Sequence, residues 1–212
     1  MRVIDLTQSM DHAMPVMDGI EPPRFEDLAA VESDGYAMSR YSFTNHCGTH
    51  VDAPAHQIVG GATLDELPLE RFVTEAVLID VRSHLPGPVG RDVVAPYLAE
   101  LRENDIVLFC SGNSANWGTP AYWRGWCYPD AVATEDIIDR RVSGVGFDGP
   151  SADPVESQTY ALHQIWLSAG RIILENLASL DALPRRFRIV VAPLKVRHSN
   201  GSPARVLALV DD

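Results

Sequence analysis

Basic charge is scarce in this chain. Seventeen lysines and arginines stand against 29 aspartates and glutamates, a formal charge of -12. That balance repels phosphate backbones and offers no basic stripe to anionic lipid, so neither nucleic acid nor a membrane surface is an expected partner. Long apolar runs are missing as well. The opening MRVIDLTQSMDHAMP alternates polar and apolar residues where a secretion signal has an unbroken apolar core, and no stretch reaches bilayer-spanning length; the expected location is the cytoplasm. Cysteine is sparse: Cys47, Cys110 and Cys127 are an odd number at no paired spacing, which speaks against a disulfide framework and for reduced thiols. Cys47 reads as a small buried packing residue, not as a nucleophile. No repeat and no low-complexity linker interrupts the chain.

What is present is enough to fold. A chain of 212 residues that is 46% hydrophobic can bury a sizeable core, and its length suits one domain over 1–212. Short β-like runs at 3–6, 38–45, 73–81, 105–110, 144–148, 171–174, 187–193 and 204–210 alternate with fewer helical ones. Pro96 suits the first turn of a helix through Arg102, and Thr134 reads as the N-cap of a helix through Arg141. Asp153 with Pro154 opens a longer helix that Gly170 ends. The expectation is a mixed α/β domain with a mostly β core and short flanking helices. Residues 11–34 and 111–129 hold most of the irregular Pro-, Gly- and Trp-containing sequence, and such loops tend to carry substrate contacts.

The densest chemistry lies at 44–56, TNHCGTHVDAPAH, where His46, His50, Asp52 and His56 fall within eleven positions. Gly48, β-branched Thr49 and Val51, and Pro54 disfavour a continuous helix, so a strand bending into a loop is expected. Strand parity puts His46, Gly48, His50 and Asp52 on one face. A straight strand would hold the alpha carbons of His46 and His50 about 13 Å apart, too far for two ligands with metal bonds of roughly 2 Å, so the chain must curve. Gly48 permits the bend and is expected to leave volume for a cation. Three imidazoles and a carboxylate in this arrangement favour a divalent-metal site over packing histidines, though the spacing fixes neither metal nor reaction. His12, His84 and His198 have no such company and read as solvated.

The pattern HxGTHxDxPxH, carried by His46, Gly48, Thr49, His50, Asp52, Pro54 and His56, resembles the signature of the metal-dependent cyclase family, which includes bacterial kynurenine formamidases and isatin hydrolases. The resemblance extends to IDLTQSM at 4–10, WGTPAY at 117–122, GVGFDGPSAD at 144–153, His163, LENL at 174–177 and APLKV with GSPARVLA near the end. It implies a swivelling β/β/α fold and a homodimer or higher homo-oligomer. It also implies that His46, His50, Asp52, His163 and Glu175 bind one or two Zn2+ or Mn2+ ions, the aspartate bridging, and that His56 transfers protons. Read without the family, His163 among Leu162, Ile165 and Trp166 is a core histidine, and Glu175 is a carboxylate at the end of a buried strand.

The chemistry implied is amide hydrolysis. A divalent ion lowers the pKa of a bound water from about 15.7 toward about 7 and polarises a carbonyl, while His56, with an ordinary imidazole pKa of about 6.5, relays the proton to the departing nitrogen. The expected substrate is a small, aromatic aryl formamide or cyclic amide. Met17 stands where kynurenine formamidases carry an aromatic residue against the substrate ring, and its sulfur can still contact a ring. Asn113 stands where a second aromatic is expected. Trp117, Tyr122, Trp123 and Trp126 are candidates for an aromatic pocket, although each alone reads as core or interface. Asp148 and Asp153 flank a Gly-Pro-Ser turn and read as structural, with support of His163 as the lesser alternative. A lactone or other ring-opening or ring-closing reaction on the same fold, and a non-catalytic metal- or ligand-binding module, are the competing readings.

Overall fold

Strands that are apolar on both faces dominate the middle of the chain. In the computed structural model, which describes residues 1–211, they form one side of a closed sheet. The strands are β1 (Arg2–Asp5), β2 (Arg24–Ala29), β3 (Met38–Ser42), β4 (His50–Asp52), β5 (Val73–Asp80) and β6 (Gly87–Val89), followed by β7 (Ile106–Cys110), β8 (Cys127–Pro129), β9 (Gly144–Phe147), β10 (Ile172–Glu175), β11 (Arg186–Pro193) and β12 (Gly201–Val210). The helices are short: α1 (Val31–Asp34), α2 (Arg91–Leu98), α3 (Ala131–Ile138) and α4 (Ala161–Ser168). All eight expected strands occur, with ends moved by up to three residues.

The main sheet runs β1-β12-β11-β5-β7-β9-β10-β4, and β4 pairs again with β12, so seven strands close on themselves and β1 extends one edge. β5, β7, β9 and β10 are parallel, as their continuous apolar runs require, because helices cover one of their faces and the barrel interior the other. Parity along β5 shows the two environments. Ala76 and Leu78 join Val51, Leu108, Leu174, Ile189 and Val206 inside the closed sheet, whereas Val77 and Ile79 pack with Val94, Ile137, Leu162 and Trp166 of the helical layer. Each of these large buried side chains contributes about 1.5–3 kcal/mol of apolar transfer free energy.

Closure is what positions the functional residues. β4 is three residues long and fully buried, wedged between β10 and β12, with Glu175 opposite His50 and both Ile173 and Gly201 opposite Asp52. Gly201 is bare because a Cβ there would lie 2.3 Å from the His46 ring.

The helix starts differ from expectation for identifiable reasons. α2 begins at Arg91 and contains Pro96 in its interior, ending at Leu98. α3 is capped by Asp130, whose carboxylate accepts the Ala133 N–H at 2.8 Å, while Thr134 is buried inside the helix. α4 starts at Ala161, yet Asp153 still serves its first turn: its two carboxylate oxygens accept the N–H groups of Leu162 and His163, both at 2.9 Å, across the loop 154–160. The stretch 11–34 is not all loop either. It holds β2, which pairs with β3 to make a two-stranded arm, and Leu28, Met38 and Tyr41 of that arm are exposed.

Candidate metal and hydrolytic site

The residues 43–49 form no strand, and Gly48 takes a left-handed φ of 62° that bends the chain into β4. The space beside Gly48 is filled by Met10 and Met14, so its contribution is the bend and not, as the sequence suggested, room for a cation. The bend brings the His46 and His50 rings to 5.4 Å between centroids. His56, in a 3-10 turn just after Pro54, packs against His46 with ring centroids 3.9 Å apart and the planes tilted by 35°. α4 delivers His163 and the end of β10 delivers Glu175. All six residues named from the sequence therefore face one another.

Asp52 is the centre. It is 1% exposed, and its Oδ1 accepts Nδ1–H of His46 at 2.7 Å and lies 3.4 Å from Nε2 of His50. Its Oδ2 is buried without a hydrogen-bond partner among the described residues; Nε2 of His163 is 3.6 Å away. Burial opposes ionisation of this carboxyl, but His163, His46 and His50 hold it well below the usual carboxylate range. Glu175 sits 3.4 Å from Nε2 of His50 and 3.2 Å from Nε2 of His163, and accepts the Ala152 N–H at 3.1 Å.

The histidines are oriented from behind. Nδ1–H of His50 donates to the Gly48 carbonyl at 2.9 Å, and Nδ1–H of His163 donates to Asp153 at 2.6 Å. Each therefore turns Nε2 toward the carboxylates. Burial lowers the His163 pKa, but Asp153, Asp52 and Glu175 outweigh it and raise it well above the ordinary imidazole value. Burial also pulls His46 down, and its bonds to Asp52 and to Asn200 Oδ1 (3.0 Å) overturn that and raise it. His56 behaves oppositely. Burial, helped by the neighbouring His46 and His163, prevails over Asp52 and Glu175 and keeps it below the ordinary value.

These side chains fit a divalent cation. A carboxylate oxygen buried without a donor is costly, and the Nε2 atoms of His50 and His163, facing Asp52 and Glu175, must carry either a proton or a shared metal ion to offset the carboxylate charge. His50, Asp52 and Glu175 offer ligand atoms within 4.8 Å of one another, and so do His46, Asp52 and His56. His46 has oxygen acceptors on both ring nitrogens, so ligation there exchanges one of those contacts for an ion.

Outward from this cluster opens a cavity of about 350 Å³ whose apolar wall includes Met17, Ile20, Trp123 and Tyr160. Of the four aromatics considered from the sequence, only Trp123 lines it. Trp126 is core, and Trp117 packs on the buried Tyr122 at 5.0 Å. Tyr160, Asn176 and Asn200 escaped notice because single polar or aromatic residues in irregular segments carry no periodic signal. Asp153, by sequence a structural turn residue first, is the orienting partner of His163. Asn113 is buried and donates to the Tyr122 carbonyl at 2.9 Å, organising the loop 111–129. Cys47 is buried 4.0 Å from the Met14 sulfur, and burial pushes its thiol pKa up, as suits a packing residue. His12, His84 and His198 are exposed.

Known proteins are similar to this chain in sequence and in fold. The Cyclase family model, described as "Putative cyclase", matches residues 4–154. A kynurenine formamidase of Salinibacter ruber is 29% identical over 215 residues, covering 98% of this chain and 97% of that protein. Isatin hydrolase A from Labrenzia aggregata, solved with benzyl benzoate bound, superposes with a TM-score of 0.89 at 28% identity, covering 100% of this chain and 94% of that one. The predicted metal-dependent hydrolase from Bacillus stearothermophilus superposes with a TM-score of 0.82 at 28% identity, over 98% and 97% of the two chains. With a family match across most of its length and the signature histidines gathered around Asp52, the chain belongs to the cyclase family.

Proposed function

We propose that this protein hydrolyses the carbon-nitrogen bond of a small aryl formamide or cyclic amide, as one hydrolase unit spanning 1–212. The observation that carries the reading is the buried, unpartnered Oδ2 of Asp52 ringed by imidazoles, with His56 facing the same cavity. His46, His50, Asp52, His163 and Glu175 would hold one or two divalent ions, zinc or manganese, imidazole with carboxylate suiting either. A divalent ion in such a site supplies a water activated near neutral pH and a polarised carbonyl.

The chain's own groups do the rest. His56, kept neutral by its burial, accepts a proton from the attacking water and returns one to the departing nitrogen. Asp153 and the Gly48 carbonyl fix the aim of His163 and His50. Met17, Ile20, Trp123 and Tyr160 bind a flat ring and exclude water from one side of the reacting carbonyl.

The same reading takes the protein as a homodimer or higher homo-oligomer. A two-stranded arm is marginal by itself in water, and the exposed Leu28, Met38 and Tyr41 of β2 and β3 offer it an apolar face to cover. Cytoplasmic residence accords with the three cysteines, all free and buried. No helix among the described residues is long and apolar enough to cross a membrane.

Purified protein loaded with zinc or manganese and offered N-formylkynurenine and isatin, with absorbance followed, tests the proposal. Turnover that His56→Ala abolishes at unchanged metal content supports it. No turnover on any amide or lactone would leave a binding module in its place.

A further inference from the structure

Asn176 follows Glu175 and stands in the left-handed region at φ 59°, which asparagine tolerates better than most residues. Every polar group it carries is engaged. Its backbone N–H donates to the Gly149 carbonyl at 2.9 Å, and its own carbonyl accepts from the Thr49 hydroxyl at 2.6 Å. Its side-chain Oδ1 accepts from the Tyr122 hydroxyl at 2.6 Å, and its Nδ2 donates to the Gly48 carbonyl at 2.8 Å. A carbonyl can only accept, so the amide cannot be reversed without setting two oxygens against each other.

The Gly48 carbonyl is also the acceptor for Nδ1–H of His50. No strand ladder holds it, because 43–49 are irregular and Gly48 itself adopts a conformation open to few other residues. The direction of this carbonyl therefore rests on tertiary hydrogen bonds, and Asn176 supplies one from a buried position. The competing His50 tautomer, with Nδ1 accepting from the amide at 3.4 Å, would place an imidazole lone pair 2.9 Å from the Gly48 oxygen.

We propose that Asn176 is a positioning residue: it pins the Gly48 carbonyl, with Tyr122 holding the amide in place, and so keeps His50 as the Nδ1–H tautomer with Nε2 aimed at Asp52 and Glu175. The inference rests on the reading of His50 as a metal ligand. It ties the aromatic loop 111–129 to the metal site through the chain Tyr122, Asn176, Gly48 and His50.

The test uses the full chain in wild-type form and as Asn176→Gly, which keeps the backbone conformation, and Tyr122→Phe, which removes only a hydroxyl. Two quantities are measured: the affinity for Zn2+ alone, by competition with a chromogenic chelator, and the His50 ring tautomer in metal-free protein, by long-range nitrogen-proton NMR. In wild type we expect the Nδ1–H form. Asn176→Gly should weaken zinc binding about ten- to a hundredfold and mix the tautomers; Tyr122→Phe should weaken it by about threefold or more in the same direction. Zinc affinities within about twofold of wild type in both variants, with the His50 ring unchanged, would overturn the proposal. If Asn176→Gly does not fold, the same two readouts on Tyr122→Phe decide. A wild type that binds no zinc but loses its Nδ1–H signature in Asn176→Gly would uphold the positioning while defeating the metal reading.

Discussion

Asp153 grips His163 twice: one carboxylate oxygen, Oδ2, accepts both the backbone N–H at 2.9 Å and the ring Nδ1–H at 2.6 Å. Helix start and ring orientation thus depend on one group. Asp153→Asn has one acceptor oxygen and no charge: with that oxygen kept on His163 its NH2 faces the Leu162 N–H, so zinc affinity should fall about ten- to a hundredfold, with a stability loss of about 1 kcal/mol from the weakened helix start. Chelator competition and a urea titration measure the two effects. Unchanged zinc affinity would show that His163 needs no such support.

Removing the imidazole of His56 should lower kcat about a hundred- to ten-thousandfold while leaving bound metal and the melting temperature near wild type, since the ring is only half-buried. Metal analysis and steady-state kinetics on His56→Ala check this. A loss of metal matching the loss of activity would instead make His56 a ligand, as its place near His46 and Asp52 allows.

Asp148 should make the protein pH-sensitive. Burial raises its pKa to about 6, against the pull of backbone N–H donors at Ser111 and Asn113. A carboxyl raised in the folded state favours folding most below its ordinary value of 3.8 and loses that contribution as pH rises through about 6. Two pH units at about 1.4 kcal/mol each make the swing about 3 kcal/mol. Urea midpoints of wild type and Asp148→Asn at pH 4 and pH 7 should therefore show wild type losing ground to the variant on going to pH 7. A pH-independent difference between them would refute the assignment.

Met17 lines the cavity beside Trp123 and Tyr160. Truncation to alanine removes about 1 kcal/mol of apolar contact and should raise KM for an aromatic amide about fivefold with little change in kcat, the mark of binding shared by ground and transition states. A fall in kcat at constant KM would place Met17 nearer the reacting atoms than its position indicates.

Zinc removal should destabilise the fold, because Asp52 and Glu175 then share a buried site with only the surrounding imidazoles to offset their charge. At free zinc a hundredfold above Kd the stabilisation is about 2.7 kcal/mol, or about 5 to 10 °C in Tm for a chain of this size. Thermal melts with and without chelator read it directly; equal melting temperatures at that zinc level would contradict the binding site.

Much of this architecture is visible in local pattern. The apolar runs at Ile106–Cys110, Gly144–Phe147 and Ile172–Glu175 announce buried parallel strands because period and composition act within a few residues. Helix starts were harder to read. Asp153 serves the start of α4 from eight positions upstream, and a cap is recognisable in sequence only when it is adjacent. β2 carries no sequence signal because it is almost wholly exposed and lacks an apolar face of period two, whereas its partner β3 lies within the strand expected at 38–45.

For the site the division is sharper. His46, His50, Asp52 and His56 stand close in the chain, so their spacing alone made a metal site the favoured reading, and the family resemblance added His163 and Glu175. Whether these six meet was decided by tertiary structure: the closure of the sheet through β4 sets Glu175 opposite His50, and α4 brings His163 to the same point. Sequence by itself determined which chemical groups are available, since composition and spacing are local. Only the fold decided how each imidazole is aimed, because the partners that aim them, Asp153, Asn176 and Asn200, are joined to the signature or to His163 by hydrogen bonds spanning ten to more than a hundred residues, and no periodicity in the chain records such contacts.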